Sequence, residues 1–347
     1  MAQQDKAVFF EMEDWGIDHL KRRQLTDAVK VLREPLSPHT AALAPNAKIV
    51  SVFIYSEVTR EVVAAMPKLR FIATRSTGYD HIDLAACSER GIVVSNVPRY
   101  GENTVAEHAF GLILALSRKI YHAVLRTTRL DFSTVGLRGF DIKGRTLGVV
   151  GAGAIGMHVI RMAKGFGMEV LAYDVNEQHL LAEVLGYRYV SLEQLLSQSD
   201  VITLHVPLIP ATHHLINHDT IRLIKPGAIL INTARGGIVD TSALVTALNE
   251  GIIGGVGLDV LEGEESIKEE AQLLAEALPV EKLRTIVQNY ALLHRDNVII
   301  TPHIAFYSVE AEERIMDTTA DNITAFRAGA PQNVVYVQRP ATEASTQ

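Results

Sequence analysis

Cysteine is almost missing from this chain: Cys87 stands alone among 347 residues. No internal disulfide can form, which excludes the small disulfide-stapled secreted scaffolds and suits a reducing compartment. With no partner thiol and no flanking histidine pair, Cys87 reads as a small buried apolar side chain rather than a nucleophile or ligand. Basic blocks are missing as well. The 33 Lys and Arg are set against 40 Asp and Glu, a net charge of −7, so binding of nucleic acid or an anionic membrane has no electrostatic footprint. A small anionic substrate is still compatible, because one placed arginine would hold it. No stretch reaches the ~18 uninterrupted apolar residues of a membrane span, and the start, MAQQDKAVFFEMEDW, lacks a basic region followed by an apolar run. A cytoplasmic location is the expectation. No His/Cys/Asp/Glu group shows metal-ligand spacing, so metal catalysis is disfavoured and no metal is expected.

What is present is an ordinary globular composition, 48% hydrophobic and 21% charged, on a length that suits two domains better than one. The chain is organised around Thr146-Leu147-Gly148-Val149-Val150-Gly151-Ala152-Gly153-Ala154-Ile155-Gly156, followed by an apolar run that ends in Ala172-Tyr173-Asp174. Read physically, a buried strand enters a glycine turn, the turn opens a helix, and an acid closes the next strand. Gly151 permits the turn, Gly153 lets backbone approach a pyrophosphate, and Gly156 allows helix to pack closely on strand. The first-turn N–H groups, including those of Ala154 and Ile155, face the phosphates. Asp174 follows Gly156 by 18 residues, near where a carboxylate would accept from an adenosine ribose. The competing reading is a structural turn in some other α/β protein. Strand, helix and acid together favour a dinucleotide site.

Before that motif, short apolar runs alternate with amphipathic segments. Ala7–Phe10, Ala28–Leu32, Ile49–Ile54, Phe71–Thr74 and Ile92–Val94 read as strands, with Thr59–Met66 and Asp83–Arg90 the clearest helices. This alternation predicts βαβ units in a flavodoxin-like domain. From Thr104 to about His122 an apolar helix follows, capped by Asn103 or Thr104 with Glu107 behind; it either crosses between domains or is a core helix of one. The second domain repeats strand and helix: Gly148–Val150, Ala154–Gly165, Val170–Tyr173, Glu177–Leu185, Val201–His205, Ala228–Asn232, Thr241–Asn249, Gly255–Leu258 and Asn297–Thr301. A charged, helix-prone insertion after Glu264 reads as a solvated face. The amphipathic segment Val309–Arg327 returns the chain to the first domain, and the tail PATEASTQ reads as disordered. The expected division is 1–103 plus 305–347 for a substrate domain and 104–304 for a dinucleotide-binding Rossmann domain.

In an open parallel sheet, ligands bind beyond the carboxyl ends of the strands. Reducing a 2-keto acid requires a cation for the carboxylate, a proton donor for the carbonyl oxygen and a held nicotinamide. Arg235, just past the strand Ala228–Asn232, carries a guanidinium able to clamp a carboxylate with two parallel hydrogen bonds; a surface ion pair is its plain alternative. His303, fixed behind Pro302, suits proton transfer to a forming alkoxide. His205, His213, His214 and His294 read as structural or solvated. Glu264 lies past another strand, and a carboxylate beside His303 would favour the imidazolium. Spacing alone does not select Glu264 over Glu262 or Glu265.

Together these segments resemble the D-specific 2-hydroxyacid dehydrogenases. The likeness rests on GAGAIG with Asp174, LHVPL at 204–208, NTARGGIVDT at 232–241, GLDVLEGE at 257–264 and TPHIAFY at 301–307. It extends to RSTGYDHID at 75–83 and NVPRYGENTVAEH at 96–108, so nearly the whole chain is covered. The resemblance implies two domains with the active site in the cleft between them, and NAD as cofactor. It implies Arg235 on the substrate carboxylate and carbonyl, His303 as acid/base and Glu264 as its partner. Asp259 would face the nicotinamide, and Val206, Pro207, Thr233 and Ala234 would join Asp174 around the cofactor. Backbone at Thr77-Gly78 would help hold the carboxylate, and Tyr55, Tyr100 and Tyr307 would line the substrate pocket, with plain packing as the alternative for each ring. Bulky rings there favour a small group such as methyl. GEE at 263–265, the insertion and AFY after the histidine fit the lactate-forming members, so reversible reduction of pyruvate is the expected reaction. Glyoxylate, hydroxypyruvate or a branched 2-keto acid are the alternatives, and a nicotinamide-sensing, corepressor-like binding protein is a further one. A homodimer is expected from the apolar helix. Asp174 would repel a 2′-phosphate and Val175-Asn176-Glu177 supplies no arginine to receive one, so NAD is preferred over NADP. One departure is Gly101-Glu102, where members often carry Ser-Pro.

Overall fold

The computed structural model describes residues 7–22, 29–264 and 280–335. The insertion's 266–279 stretch, Ala28 and the PATEASTQ tail therefore lie outside the described residues. The chain divides into two compact units, Met1–Tyr100 with Ser308–Gln347, and Gly101–Tyr307.

In the first unit, strands β1 (Ala7–Phe9), β2 (Val29–Val31), β3 (Ile49–Val52), β4 (Phe71–Thr74) and β5 (Val93–Ser95) form a parallel sheet in the order β2-β1-β3-β4-β5. This is the flavodoxin-like order. Every residue of β3 and β4 is buried, which is why they read as mainly apolar runs, with only Ser51 and Thr74 polar, rather than alternating ones. Helices α1 (Asp14–Arg22), α2 (Arg60–Ala65) and α3 (Leu84–Glu89) lie among them. Thr59 and Asp83 begin their helices as caps: their side-chain oxygens accept from the N–H groups of Val62 and Ala86, groups that a helix's first turn leaves without intrahelical partners. The helix Val309–Arg327 belongs to this unit. It buries Ile315, Met316 and Ile323, and Phe326 stacks on Phe71 of β4 with centroids 4.4 Å apart.

In the second unit, β6 (Thr146–Val150), β7 (Glu169–Tyr173), β8 (Arg188–Tyr189), β9 (Val201–Leu204), β10 (Ala228–Asn232), β11 (Ile253–Leu258) and β12 (Val298–Ile300) form a parallel sheet. Their order is β12-β11-β10-β9-β6-β7-β8. Direction along the sheet reverses between β6 and β9, and the crevice beyond such a switch point is where dinucleotides bind. Helix α4 (Glu102–Ser117) packs on this unit's own sheet and on α6 (Ala154–Gly165), burying Ala106, Ala109, Phe110, Leu112, Ile113 and Leu116. It is a core helix of one unit.

That helix also corrects the expectation of a single helix to His122. It stops at Ser117, whose carbonyl accepts from the N–H of Phe140, and Lys119 turns the chain in a left-handed conformation (φ 54°). A second helix, α5 (Ile120–Thr127), then begins. The cap differs too: Gly101 precedes the first turn, and Asn103 sits inside it, donating to Glu107. Short helices α7 (His179–Leu185) and α8 (Leu192–Gln198) flank β8, α8 opening with a reciprocal Ser191–Gln194 capping box that the reading along the chain overlooked. Helices α9 (Thr241–Asn249) and Val280–Leu293 complete the described part.

Gly148, mid-β6, shows how close the packing is. A Cβ there would stand 2.3 Å from Ser199 Oγ, just past α8, and 2.5 Å from Leu195 Cδ2 within it. Gly148→Ala is expected to lower stability by about 1–3 kcal/mol through overpacking. The measurement is the urea midpoint at constant m-value, and an unmoved midpoint would show that α8 gives way without cost.

Candidate active site

Because all seven strands run parallel, their carboxyl ends share one edge, and the candidate residues follow those ends in turn. Gly151 follows β6, Asp174 follows β7, and Val206 and Pro207 come shortly after β9. Arg235 lies three residues past β10, Glu264 six past β11 and His303 three past β12. β10, β11 and β12 are adjacent, with Asn232 opposite Leu258 and Leu258 opposite Ile300.

The glycine turn has the geometry a pyrophosphate needs. Gly151 has φ +96°, and a Cβ on it would meet the His205 backbone at 2.7 Å; one on Gly156 would meet Gly151 O at 2.0 Å. Among the described residues nothing lies within 4 Å of a Cβ built on Gly153, and no side chain caps the first turn of α6. Space and unclaimed donors therefore coincide at a helix N-terminus. Asp174 accepts from Ala152 N (2.7 Å) and Asn176 N (2.8 Å), which hold its carboxylate beside the turn. Thr233 Oγ1 is buried and unpartnered among the described residues, a polar atom that fits a cofactor contact. Burial holds the His205 imidazole down to about pKa 4, so this ring is neutral at pH 7, with Nε2 2.8 Å from Thr203 Oγ1.

The chemical groups are assembled by turns. His303 Nδ1 lies 2.6 Å from Glu264 Oε1, both side chains being largely but not fully buried. Glu264 Oε2 accepts from Leu261 N, closing a tight turn in which Gly263 has φ +68°. Glu262 points the other way, to Thr241 N and Oγ1 and to His214 Nε2. Glu265 lies outside the described residues. His303 itself adopts φ 55°, a conformation costly for a residue with a Cβ and tolerated where surroundings over-determine it. Its N–H donates to Asp259 O at 2.8 Å.

Asp259 is the residue that sequence reasoning under-described. Expected at the nicotinamide, its buried carboxylate accepts from Thr301 Oγ1 (2.5 Å), Ile304 N (2.9 Å) and Ala305 N (2.7 Å), so it holds the loop that carries His303. His108 Nε2 stands 3.0 Å from Thr301 Oγ1 and 3.5 Å from Asp259 Oδ1, extending this network to α4. His108 was visible only as the last residue of the 96–108 block. Arg235 is set by Asn232, whose Nδ2 donates to Arg235 O and whose Oδ1 accepts from Ala234 N. The next residue, Gly236, abuts the Leu261–Glu262 backbone: a Cβ there would sit 2.1 Å from Leu261 C. The turns bearing Arg235 and Glu264 are thus in direct contact.

In the first unit, Tyr55 N donates to Glu11 Oε1 and Ser56 Oγ to Glu11 Oε2. Burial raises the Glu11 pKa, against the hydrogen bonds and the Arg75 charge that lower it. Thr77 Oγ1 donates to Val97 O, whereas the backbone N–H groups of Thr77 and Gly78 donate to no group among the described residues. Tyr100 O accepts from Arg314 Nε, and the Tyr55 and Tyr307 rings are about half exposed. Of the remaining histidines, His294 bonds Tyr290 O and His213 stacks on His214. One triple, His213, His214 and Glu262, has ligand-type atoms within 4.8 Å of one another. Local spacing did not reveal it, because Glu262 arrives from another strand end.

A seven-stranded Rossmann sheet with a dinucleotide turn at one strand end and an imidazole–carboxylate pair at others defines a nicotinamide-dependent oxidoreductase. Residues 110–305 match the family model of the D-isomer specific 2-hydroxyacid dehydrogenase NAD-binding domain. A D-lactate dehydrogenase of Escherichia coli is 37% identical over 299 residues, 85% of this chain and 88% of that one. A glyoxylate reductase of Thermococcus litoralis is 37% identical over 318 residues, 88% and 90% of the two chains. The crystal structure of D-lactate dehydrogenase from Aquifex aeolicus, complexed with NAD and lactic acid, superposes with a TM-score of 0.84 at 38% identity, covering 94% of this chain and 96% of that one. The chain belongs to the D-isomer specific 2-hydroxyacid dehydrogenases, and its cofactor is NAD. Among the described residues no helix is long and apolar enough to cross a membrane.

Two outcomes test the site. His303→Gln is expected to reduce turnover by roughly 10²-fold or more while NADH binding, read by fluorescence titration, is kept; a near-normal rate excludes this imidazole as proton donor. Asp174→Ala is expected to narrow the NAD over NADP preference, measured as a ratio of kcat/KM, and an unaltered ratio would move ribose recognition elsewhere.

Proposed function

We propose that this enzyme reduces pyruvate to D-lactate reversibly, with His303 as acid/base, Glu264 as its carboxylate partner and Arg235 as the substrate clamp. The observation that carries the reading is the 2.6 Å pair between His303 Nδ1 and Glu264 Oε1 at strand ends adjacent to Arg235. With Nδ1 held by the carboxylate, Nε2 is the ring atom left to give a proton to the substrate oxygen. Glu264 fixes the ring's orientation and leaves Nε2 turned to the substrate. Bound NADH supplies the hydride, which goes to the carbonyl carbon. Arg235 holds the carboxylate bidentately and draws charge from the carbonyl oxygen. The N–H groups of Thr77 and Gly78 add donors for the carboxylate, and Tyr55, Tyr100 and Tyr307 restrict the substrate's side chain to a small group. Val206, Pro207, Thr233 and Ala234 join Asp174 around the cofactor.

The lactate assignment is supported by the relatives from Escherichia coli and Aquifex aeolicus. The Thermococcus litoralis relative, equally identical, favours glyoxylate as a second reading. We also propose a homodimer in the cytoplasm. α4 is buried in its own unit, whereas in the segment after it Ile120, Tyr121, Val124, Leu130, Phe132 and Val135 are exposed. Apolar side chains gathered along so short a stretch mark an interaction surface.

Steady-state kinetics with pyruvate, glyoxylate, hydroxypyruvate and a branched 2-keto acid, each with NADH, test the assignment. Pyruvate is expected to give the highest kcat/KM. A preference for glyoxylate or a branched acid would replace the lactate reading, and tight NADH binding with negligible turnover on all four would favour a sensor.

A further inference from the structure

His213, His214 and Glu262 form a cluster that the proposed reaction does not use, and it is built rather than incidental. Each backbone is anchored. His213 N–H donates to Ile209 O, His214 N–H donates to Gly237 O, and Glu262 O accepts from Asn289 Nδ2. Glu262 is oriented by α9: Thr241 N and Oγ1 both donate to Oε2, at 3.2 and 2.8 Å, leaving Oε1 directed at His214 Nε2, 2.6 Å away. On the far side of the ring, His214 Nδ1 lies 4.0 Å from Asp240 Oδ2. Asp240's other oxygen caps α9, accepting from Ser242 and Ala243 N. The His213 ring stacks on that of His214 with centroids 4.0 Å apart, and His213 is exposed.

We propose that these three side chains bind a divalent transition-metal ion, Zn²⁺ above all. The inference is independent of which 2-keto acid the enzyme prefers. Two imidazoles and one carboxylate form a nitrogen-rich set that suits Zn²⁺, whereas Mg²⁺ and Ca²⁺ take oxygen ligands. Three protein ligands leave a fourth tetrahedral position for water. Around the ligands, the structure supplies the partners such sites use. A carboxylate faces the non-ligating nitrogen of His214, and two donors fix the non-ligating oxygen of Glu262. The ion replaces the His214–Glu262 hydrogen bond with a shared metal and draws in the exposed His213 ring. It fastens the 213–214 segment and the start of α9 to the 261–264 turn, which also carries Glu264 and abuts Gly236. This is a bracing site beside the chemistry, not a source of activated water for it.

Titration of ZnCl₂ into the chelator-treated full-length chain, followed by calorimetry, tests the proposal. One equivalent is expected to bind, and MgCl₂ is expected to give no saturable heat. His213→Ala and Glu262→Gln are each expected to weaken binding by roughly tenfold or more. Zn²⁺ should raise the thermal midpoint of the parent and not that of His213→Ala, whose exposed position makes the variant safe for folding. His303→Gln should bind as the parent does. Absence of stoichiometric binding, parent-like binding in both cluster variants, or loss in His303→Gln alone would overturn the assignment.

Discussion

The interaction on which the strand-end edge of the second unit depends is the seating of the Asp259 carboxylate. A buried carboxylate without donors is expensive, and this one is satisfied by a hydroxyl and two consecutive backbone N–H groups from the stretch around His303. The main chain of the same residue accepts from His303 N–H. One residue at the end of β11 therefore sets the path of the chain leaving β12 and holds His303 in a left-handed conformation that it would not keep alone. The strain buys an imidazole pointed at Glu264 rather than at solvent. Thr301 and His108 extend the arrangement to α4, so the loop that carries His303 is tied to the core of the unit.

The second organising fact is that a parallel sheet delivers every strand's carboxyl end to one side. The proposed cofactor residues follow β6, β7 and β9, and the proposed chemical residues follow β10, β11 and β12. Side chains separated by about 150 residues of sequence become neighbours along one edge because register between adjacent strands is fixed by backbone hydrogen bonding. Glycines are confined to places where that edge is crowded. Gly151 and Gly156 let the dinucleotide turn close, and Gly236 lets the Arg235 turn lie directly on the Leu261–Glu262 backbone.

Much of this was legible along the chain. Helices Ala154–Gly165, Thr241–Asn249 and Val309–Arg327 and strands Phe71–Thr74 and Ala228–Asn232 fall where periodicity and apolar runs put them, because a buried parallel strand or an amphipathic helix writes its burial directly into residue order. The helix expected to run on to His122 was misjudged for a tertiary reason. The carbonyl of Ser117 is claimed by Phe140, 23 residues later, and nothing in the local run of apolar residues announces that. Helix α8 and β8 were overlooked because each is too short to show a period.

By itself, the order of residues determined the two sheets, the glycine turn with its acid, the family, and a short list of cations, imidazoles and carboxylates past strand ends. Those features are local, or repeat within one element, and so survive being read in one dimension. Only the tertiary structure decided that Glu264 rather than Glu262 meets His303, that Asp259 holds the loop, and that Glu262 joins His213 and His214. Each of those outcomes depends on which way a tight turn points a side chain after distant strands have paired, a choice made by hydrogen bonds between elements rather than by spacing along the chain.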